Sequence, residues 1–197
     1  MTRNLLLPVL CSLIIFGACE KAPPCPPDEY YTISEWSEAQ IPYTGYDTLR
    51  FLHRVDSQAM DTVIFVGQGR VYDTVYVGDR NGGDVNCWVG MFSEQYTVQY
   101  KNIGSGPDMI FKVVSDRTEW ADVYIAFQGE EIVGLLWDII RSGNPYHYHE
   151  LKLNGRYYGG VTRFGSFCKC IYAYYTVEYG LVRIELENQA WELIHEL

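Results

Sequence analysis

From residue 43 onward, apolar and polar positions alternate with a period of two, the spacing of a strand that buries one face. The cleanest case is Tyr96, Val98 and Tyr100 set against Gln95, Thr97 and Gln99. Met109, Phe111 and Val113 repeat it, as do Ala121, Val123, Ile125 and Phe127. Asp47-Thr48-Leu49, Asp61-Thr62-Val63 and Asp73-Thr74-Val75 each open a β-branched run, so three short strands of a meander are expected there. Gly67-Gln68-Gly69, Asn81-Gly82-Gly83, Gly104-Ser105-Gly106-Pro107 and Ser142-Gly143-Asn144-Pro145 supply the turns. The apolar run Ile132 to Ile140 reads as strand by its length and β-branching. Further strands are expected over 149–153, 157–164, 168–177, 181–186 and 191–194, with turns at Asn154-Gly155, 178–180 and 187–189. Nothing after Pro42 carries a helical stripe. The expected fold is all-β, a single antiparallel β-sandwich or strongly curved barrel-like sheet over 43–197.

Upstream the pattern is different. Arg3 precedes an apolar run from Leu5 to Phe16 that is too short to span a bilayer, then Gly17-Ala18-Cys19. These residues resemble the signal of bacterial lipoproteins, in which cleavage before the cysteine leaves an N-terminal Cys that carries acyl chains. The resemblance implies a signal peptide over 1–18 and lipidation of Cys19. Residues 19–42 then read as a Pro-rich tether, with Pro23, Pro24, Pro26 and Pro27 holding the backbone extended. Thr32-Ile33-Ser34-Glu35 has the form of a capping box and predicts a short helix over 35–39 that ends by Pro42. The ending Tyr174 to Arg183, followed by Trp191, resembles the closing hairpin of small uncharacterised all-β envelope lipoproteins of anaerobic Gram-negative bacteria, which implies an architecture and no activity.

Charge narrows the partners. Lys+Arg total 15 and Asp+Glu 25, a formal net charge of -10; losing Arg3 with the signal leaves 14 against 25, or -11. Such a surface repels phosphate backbones and anionic headgroups, which excludes nucleic acid and puts membrane attachment on the acyl chains of Cys19. Glu20 differs from the Asp-type inner-membrane retention signal known for some lipoproteins, so the expected location is the outer membrane, lipid-anchored and facing the periplasm. Export also sorts the cysteines. Cys11 leaves with the signal, and Cys25, Cys87, Cys168 and Cys170 are disulfide candidates in an oxidising compartment, with three full connectivities open. Cys168 and Cys170 share one strand face, so Cys87 is expected to pair with one of them.

Candidate chemistry is sparse. His147 and His149 point to one side of an extended chain and are candidate metal ligands, with a carboxylate or a third His completing the set. Asp79 to Asp84 fails as a calcium loop because Asp84 stands where glycine must turn the chain. No serine sits in a Gly-x-Ser-x-Gly elbow. No cofactor is implied. The 17 tyrosines and five tryptophans outnumber what such motifs offer, and amphipathic aromatics suit contact surfaces. Tyr146, Tyr148, Tyr157 and Tyr158 crowd Gly- and Pro-rich connections and are the candidate binding patch for a protein, glycan or lipid ligand. The expected function is a lipid-anchored, non-catalytic binding or structural module. The alternatives are a periplasmic carrier of an apolar ligand within a curved sheet and a metal-dependent or hydrolytic enzyme.

Overall fold

The alternating pattern folds as an almost entirely antiparallel β structure. The computed structural model describes residues 24–82, 87–115, 121–135, 147–166 and 171–194. Its elements are β1 (Glu29–Tyr31), α1 (Glu35–Ala39), β2 (Thr48–Val55), β3 (Gln58–Asn81), β4 (Trp88–Asn102), β5 (Met109–Ser115), β6 (Ala121–Phe127), β7 (Glu130–Leu135), β8 (His147–Leu153), β9 (Arg156–Ser166), β10 (Ile171–Thr176), β11 (Gly180–Leu186) and β12 (Gln189–Leu193).

They form one sheet in the order β7-β6-β5-β4-β3-β2-β12-β11-β10-β9-β8. The last strand returns to pair with β2, so the meander joins its two termini in mid-sheet and leaves β7 and β8 at its ends. β1 lies off this path, parallel to β4 with Tyr30 opposite Phe92. Two-residue turns do much of the reversing. Asp56-Ser57, Gln128-Gly129 and Asn154-Gly155 all have positive φ, the geometry whose twist matches the strands it joins.

The sheet rolls, and one face becomes the core. Phe51, Phe65, Val98, Phe111, Ile125, Ala173, Ile184 and Trp191 are all buried on it. Rings from distant strands meet across the interior: Phe111 stacks with Tyr175 at 6.4 Å, and Phe127 stands edge-on to Trp191 at 4.8 Å and to Phe65 at 5.9 Å. β7 approaches β9 so closely that a Cβ on Gly134 would lie 2.7 Å from the Phe164 ring. Only glycine admits that approach.

Three expectations are corrected. First, the runs opened by Asp61 and Asp73 belong to one 24-residue strand, β3, and Gly67-Gln68-Gly69 is an irregularity within it, not a reversal. The glycines serve a crossing segment instead: Gly67 and Gly69 donate their N–H groups to the Asp47 and Gly45 carbonyls at 3.0 and 2.7 Å, and a Cβ on Gly67 would collide with the Gly45 oxygen. Second, the expected tether is folded from residue 29, as β1 on β4 and then as α1. The helix spans 35–39 as expected, but its N-cap is Ser34, whose hydroxyl accepts from the Ser37 N–H at 3.1 Å, not Thr32. Third, Cys87 is bonded to Cys25, with Cα atoms 5.6 Å apart, and not to Cys168 or Cys170, which lie outside the described residues. The pairing follows from β1: laying 29–31 along β4 brings the start of the tether to the start of that strand.

The long strand also makes an arm. β2 pairs β3 only from Gln58 to Val66, and β5 pairs β4 only from Gln95 to Tyr100. Residues 74–81 and 88–94 therefore pair beyond the reach of β2 and β5 as a ribbon that, among the described strands, only β1 widens; one of its faces, with Val89 and Met91, is buried.

Candidate functional site

β2 runs from one end of the rolled sheet to the other, and the two ends are finished differently. At its Thr48 end the segment from α1 to Asp47 lies across the opening. Tyr43 is buried there, edge-on to Phe111 at 4.8 Å and to Tyr100 at 5.8 Å, and its hydroxyl accepts the Leu181 N–H at 2.5 Å. Tyr175 donates to the Gln40 carbonyl at 3.4 Å, and Tyr100 to Asp47 at 3.3 Å. Burial drives the phenol pKa values of Tyr43, Tyr100 and Tyr175 well above the ordinary range, so all three stay neutral. Arg70 clamps the segment from outside, donating to the Tyr43 carbonyl and to Glu38 at 2.5 Å while its guanidinium lies 4.7 Å from the Tyr96 ring centre. This end is plugged by the chain itself.

The Val55 end is open. A cavity of about 350 Å³ lies there, floored by Trp191, Phe127 and Val63 and rimmed by Asp61, Gln128 and the loop Ile103 to Pro107. His53 stands between floor and rim. Its ring stacks on Trp191 at 4.7 Å, its Nδ1 lies 2.9 Å from Asp61 Oδ1, and its Nε2 lies 3.1 Å from Gln189 Oε1. Cross-strand register explains the grouping, since His53 is opposite Asp61 on β3 and opposite Trp191 on β12. With both ring nitrogens engaged, the imidazole is held as an oriented surface. Asp61, with 65% of its side chain exposed, presents its carboxylate to solvent. The rim loop is ordered by Asp108, which accepts the Asn102 N–H at 2.9 Å and Lys101 Nζ at 3.1 Å; these donors hold its carboxyl below the ordinary value, the Asn102 bond most of all. Such a mouth suits a compact ligand that offers an apolar face to Val63 and Ile103 and hydrogen-bond donors to Asp61.

A second cavity, of about 540 Å³, lies near the β2–β3 and β11–β12 turns and is walled by charge. Glu192 is buried there and accepts from Arg54 Nε at 2.7 Å and Arg183 Nη1 at 2.8 Å. Arg183 also pairs with Glu185, which accepts the Tyr174 hydroxyl at 2.7 Å, and Arg54 reaches Asn154 at 2.9 Å. Tyr174, Arg183 and Glu192 are successive cross-strand partners on β10, β11 and β12, so the network ties these strands to the β8–β9 turn. Its charges satisfy one another, which marks it as structural.

Of the tyrosines expected to form a patch, the three that are described do not share one exposed face. Tyr158 is buried with its hydroxyl on the Leu193 carbonyl at 3.4 Å, Tyr148 is half-buried 6.2 Å from the Tyr174 ring, and only Tyr157 is exposed, beneath Lys152 Nζ at 5.0 Å. Tyr157 and Tyr158 are strand neighbours and so face opposite ways. Tyr146 lies outside the described residues. His147 and His149 fall in β8, but their side chains are not among those described; among the described residues no group of three or more His, Cys, Asp or Glu assembles. Residues 1–23, Cys19 included, lie outside the described residues.

His53, Gln189 and the mouth loop carried no sequence motif. Asp61 was visible only as the start of a strand, and its pairing with His53 follows from register alone. No family model, curated protein or solved structure matches the chain.

Proposed function

We propose that the protein is a lipid-anchored lipoprotein of the cell envelope whose β domain is a non-catalytic binding module, working through the mouth at His53, Asp61 and Trp191. The filled interior is the observation that carries the binding reading. A carrier of an apolar ligand needs an empty lined cavity, whereas here Phe111 meets Tyr175, and Phe127 meets Trp191, across the space a ligand would take. Beside the charge-walled second cavity, what remains is the mouth at the Val55 end, of the size that takes a glycan unit or a peptide side chain.

The anchor rests on Leu13 to Cys19 and on the acidic surface, which leaves acyl chains as the means of attachment. Outer-membrane attachment facing the periplasm fits Glu20. Two measurements test the reading. Intact mass of the native protein should show diacyl or triacyl glyceryl modification at Cys19, and Cys19→Ala should shift the protein from the membrane to the soluble fraction or stall it as a precursor. A panel of glycans and peptides screened by thermal shift should find a ligand whose stabilisation is lost in Asp61→Ala; a ligand whose effect survives in Asp61→Ala and His53→Ala binds elsewhere and removes the mouth from the proposal.

A further inference from the structure

The arm carries an aromatic face that the rolled body leaves uncovered. Tyr30, Phe92 and Tyr76 form one cross-strand row over β1, β4 and β3, with ring centres 5.0 Å apart for Tyr30 and Phe92 and 5.6 Å for Tyr76 and Phe92. Trp88, four residues from Phe92 on β4, shares that face by strand periodicity. Tyr30 is 66% exposed, Tyr76 56% and Trp88 64%. Exposed apolar residues scattered singly are ordinary, but a contiguous cluster marks a contact surface.

The disulfide says what that surface faces. Cys87 adjoins Trp88 and is bonded to Cys25, and only six peptide steps separate Cys25 from Cys19. A fully extended chain covers at most about 3.6 Å per residue, and the bridged Cα atoms are 5.6 Å apart, so the bridge holds the arm tip within roughly 27 Å of Cys19. If Cys19 carries acyl chains, the arm tip is the part of the domain leashed to the bilayer. Tyrosine and tryptophan suit the boundary between headgroups and acyl chains, because each joins an apolar ring to a polar atom. Charge selects the kind of surface. Asp28, Glu29, Asp79 and Glu94 stand on the arm against Arg80, and the whole chain carries -10, so anionic headgroups are repelled and the fit is to zwitterionic lipid.

We propose that the Tyr30, Tyr76, Trp88 and Phe92 face docks on the zwitterionic headgroup interface of the membrane that holds Cys19, fixing the domain's orientation instead of letting it swing on its tether. This rests on the lipoprotein reading above, and the experiment separates the two. The mature full chain is reconstituted in phosphatidylcholine vesicles containing a photoactivatable phosphatidylcholine; cross-linked peptides are mapped by mass spectrometry, and intact mass reports acylation at Cys19. The expected result is an acylated chain with lipid cross-links at Tyr30, Tyr76 and Trp88 as well as at residues 19–25. Tyr76→Ser with Trp88→Ser, both exposed positions, should remove the arm cross-links and keep the others. An acylated chain cross-linked only at 19–25 overturns the docking and leaves the anchor standing, as does an arm that cross-links only to a second protein in native membranes. A chain without acyl mass overturns the anchor; arm cross-links to lipid in that chain still support docking, and their absence overturns it too.

Discussion

The two ends of the rolled sheet are built from similar residues and put to opposite uses. At the Thr48 end, Tyr43 fills the opening against Phe111 and Tyr100, and its hydroxyl satisfies the Leu181 N–H. At the Val55 end, Trp191 and Phe127 form an equally apolar floor, but no segment of the described chain lies over it, and His53 and Asp61 stand at the edge of a cavity of about 350 Å³. The two ends thus differ in whether the chain itself supplies the ring that fills them. A side chain delivered from the same polypeptide stabilises the fold; the equivalent space left empty is available to another molecule.

The largest expected effect breaks the plugged end. Tyr43→Ala removes a buried ring and leaves the Leu181 N–H without its partner, and should cost about 3 to 5 kcal/mol, read as the shift of a urea denaturation midpoint at unchanged slope. A loss below about 1 kcal/mol would make the plug a dispensable flap and erase the contrast between the ends. Next comes the seat of the plug. In Gly67→Ala the new methyl meets the Gly45 carbonyl, so the segment must shift, at about 1 to 3 kcal/mol. Amide exchange at Gly69, whose N–H bonds Gly45, should quicken alongside; unchanged protection there would show that the crossing segment relaxes freely.

At the open end the expected order reverses, with small changes in stability and large ones in binding. His53→Ala leaves the fold within about 1 kcal/mol of the parent, because the ring is partly exposed and its partners reach solvent. Ligand-induced stabilisation should vanish in the same variant. If His53→Ala instead unfolds the protein as Tyr43→Ala does, the mouth is core and both ends are structural. The smallest effect is in pH. Asp108 has a carboxyl pKa held below its ordinary 3.8, first by the Asn102 N–H and then by Lys101, so its contribution is present above that value and is lost as pH falls through the lowered folded pKa. Protection of the Asn102 amide, taken against its intrinsic exchange rate at each pH, should therefore fall in acid, and less so in Asp108→Asn, while the plug, held by neutral tyrosines, stays protected.

The same division separates what could be read from residue order. The period of two gave the strands and the all-β class, because alternation reflects only which face of a strand is buried, and that is written locally. Asn154-Gly155 gave its turn for the same reason, since positive φ is a property of those two residues. Gly67-Gln68-Gly69 misled, because glycine serves both reversal and close approach, and only the position of Gly45 decides between them. The pairings of Cys25 with Cys87 and of His53 with Asp61 and Trp191 were equally hidden: each depends on which strands lie side by side and in what register.

Residue order by itself carried the strand-forming chain and its acidic charge, through composition and near-neighbour alternation. Tertiary structure decided that residues 29–47 join the fold as an added strand, a helix and a plug, that Tyr158 is buried while Tyr157 is exposed, and that an open mouth lies at the other end. The physical reason is that burial in a rolled sheet is set by what faces a residue across the interior. Tyr96 and Tyr76 belong to one hairpin, yet Tyr96 is buried beneath the body and Tyr76 stands exposed on the arm. The same side chain becomes core or surface according to whether another strand lies opposite it.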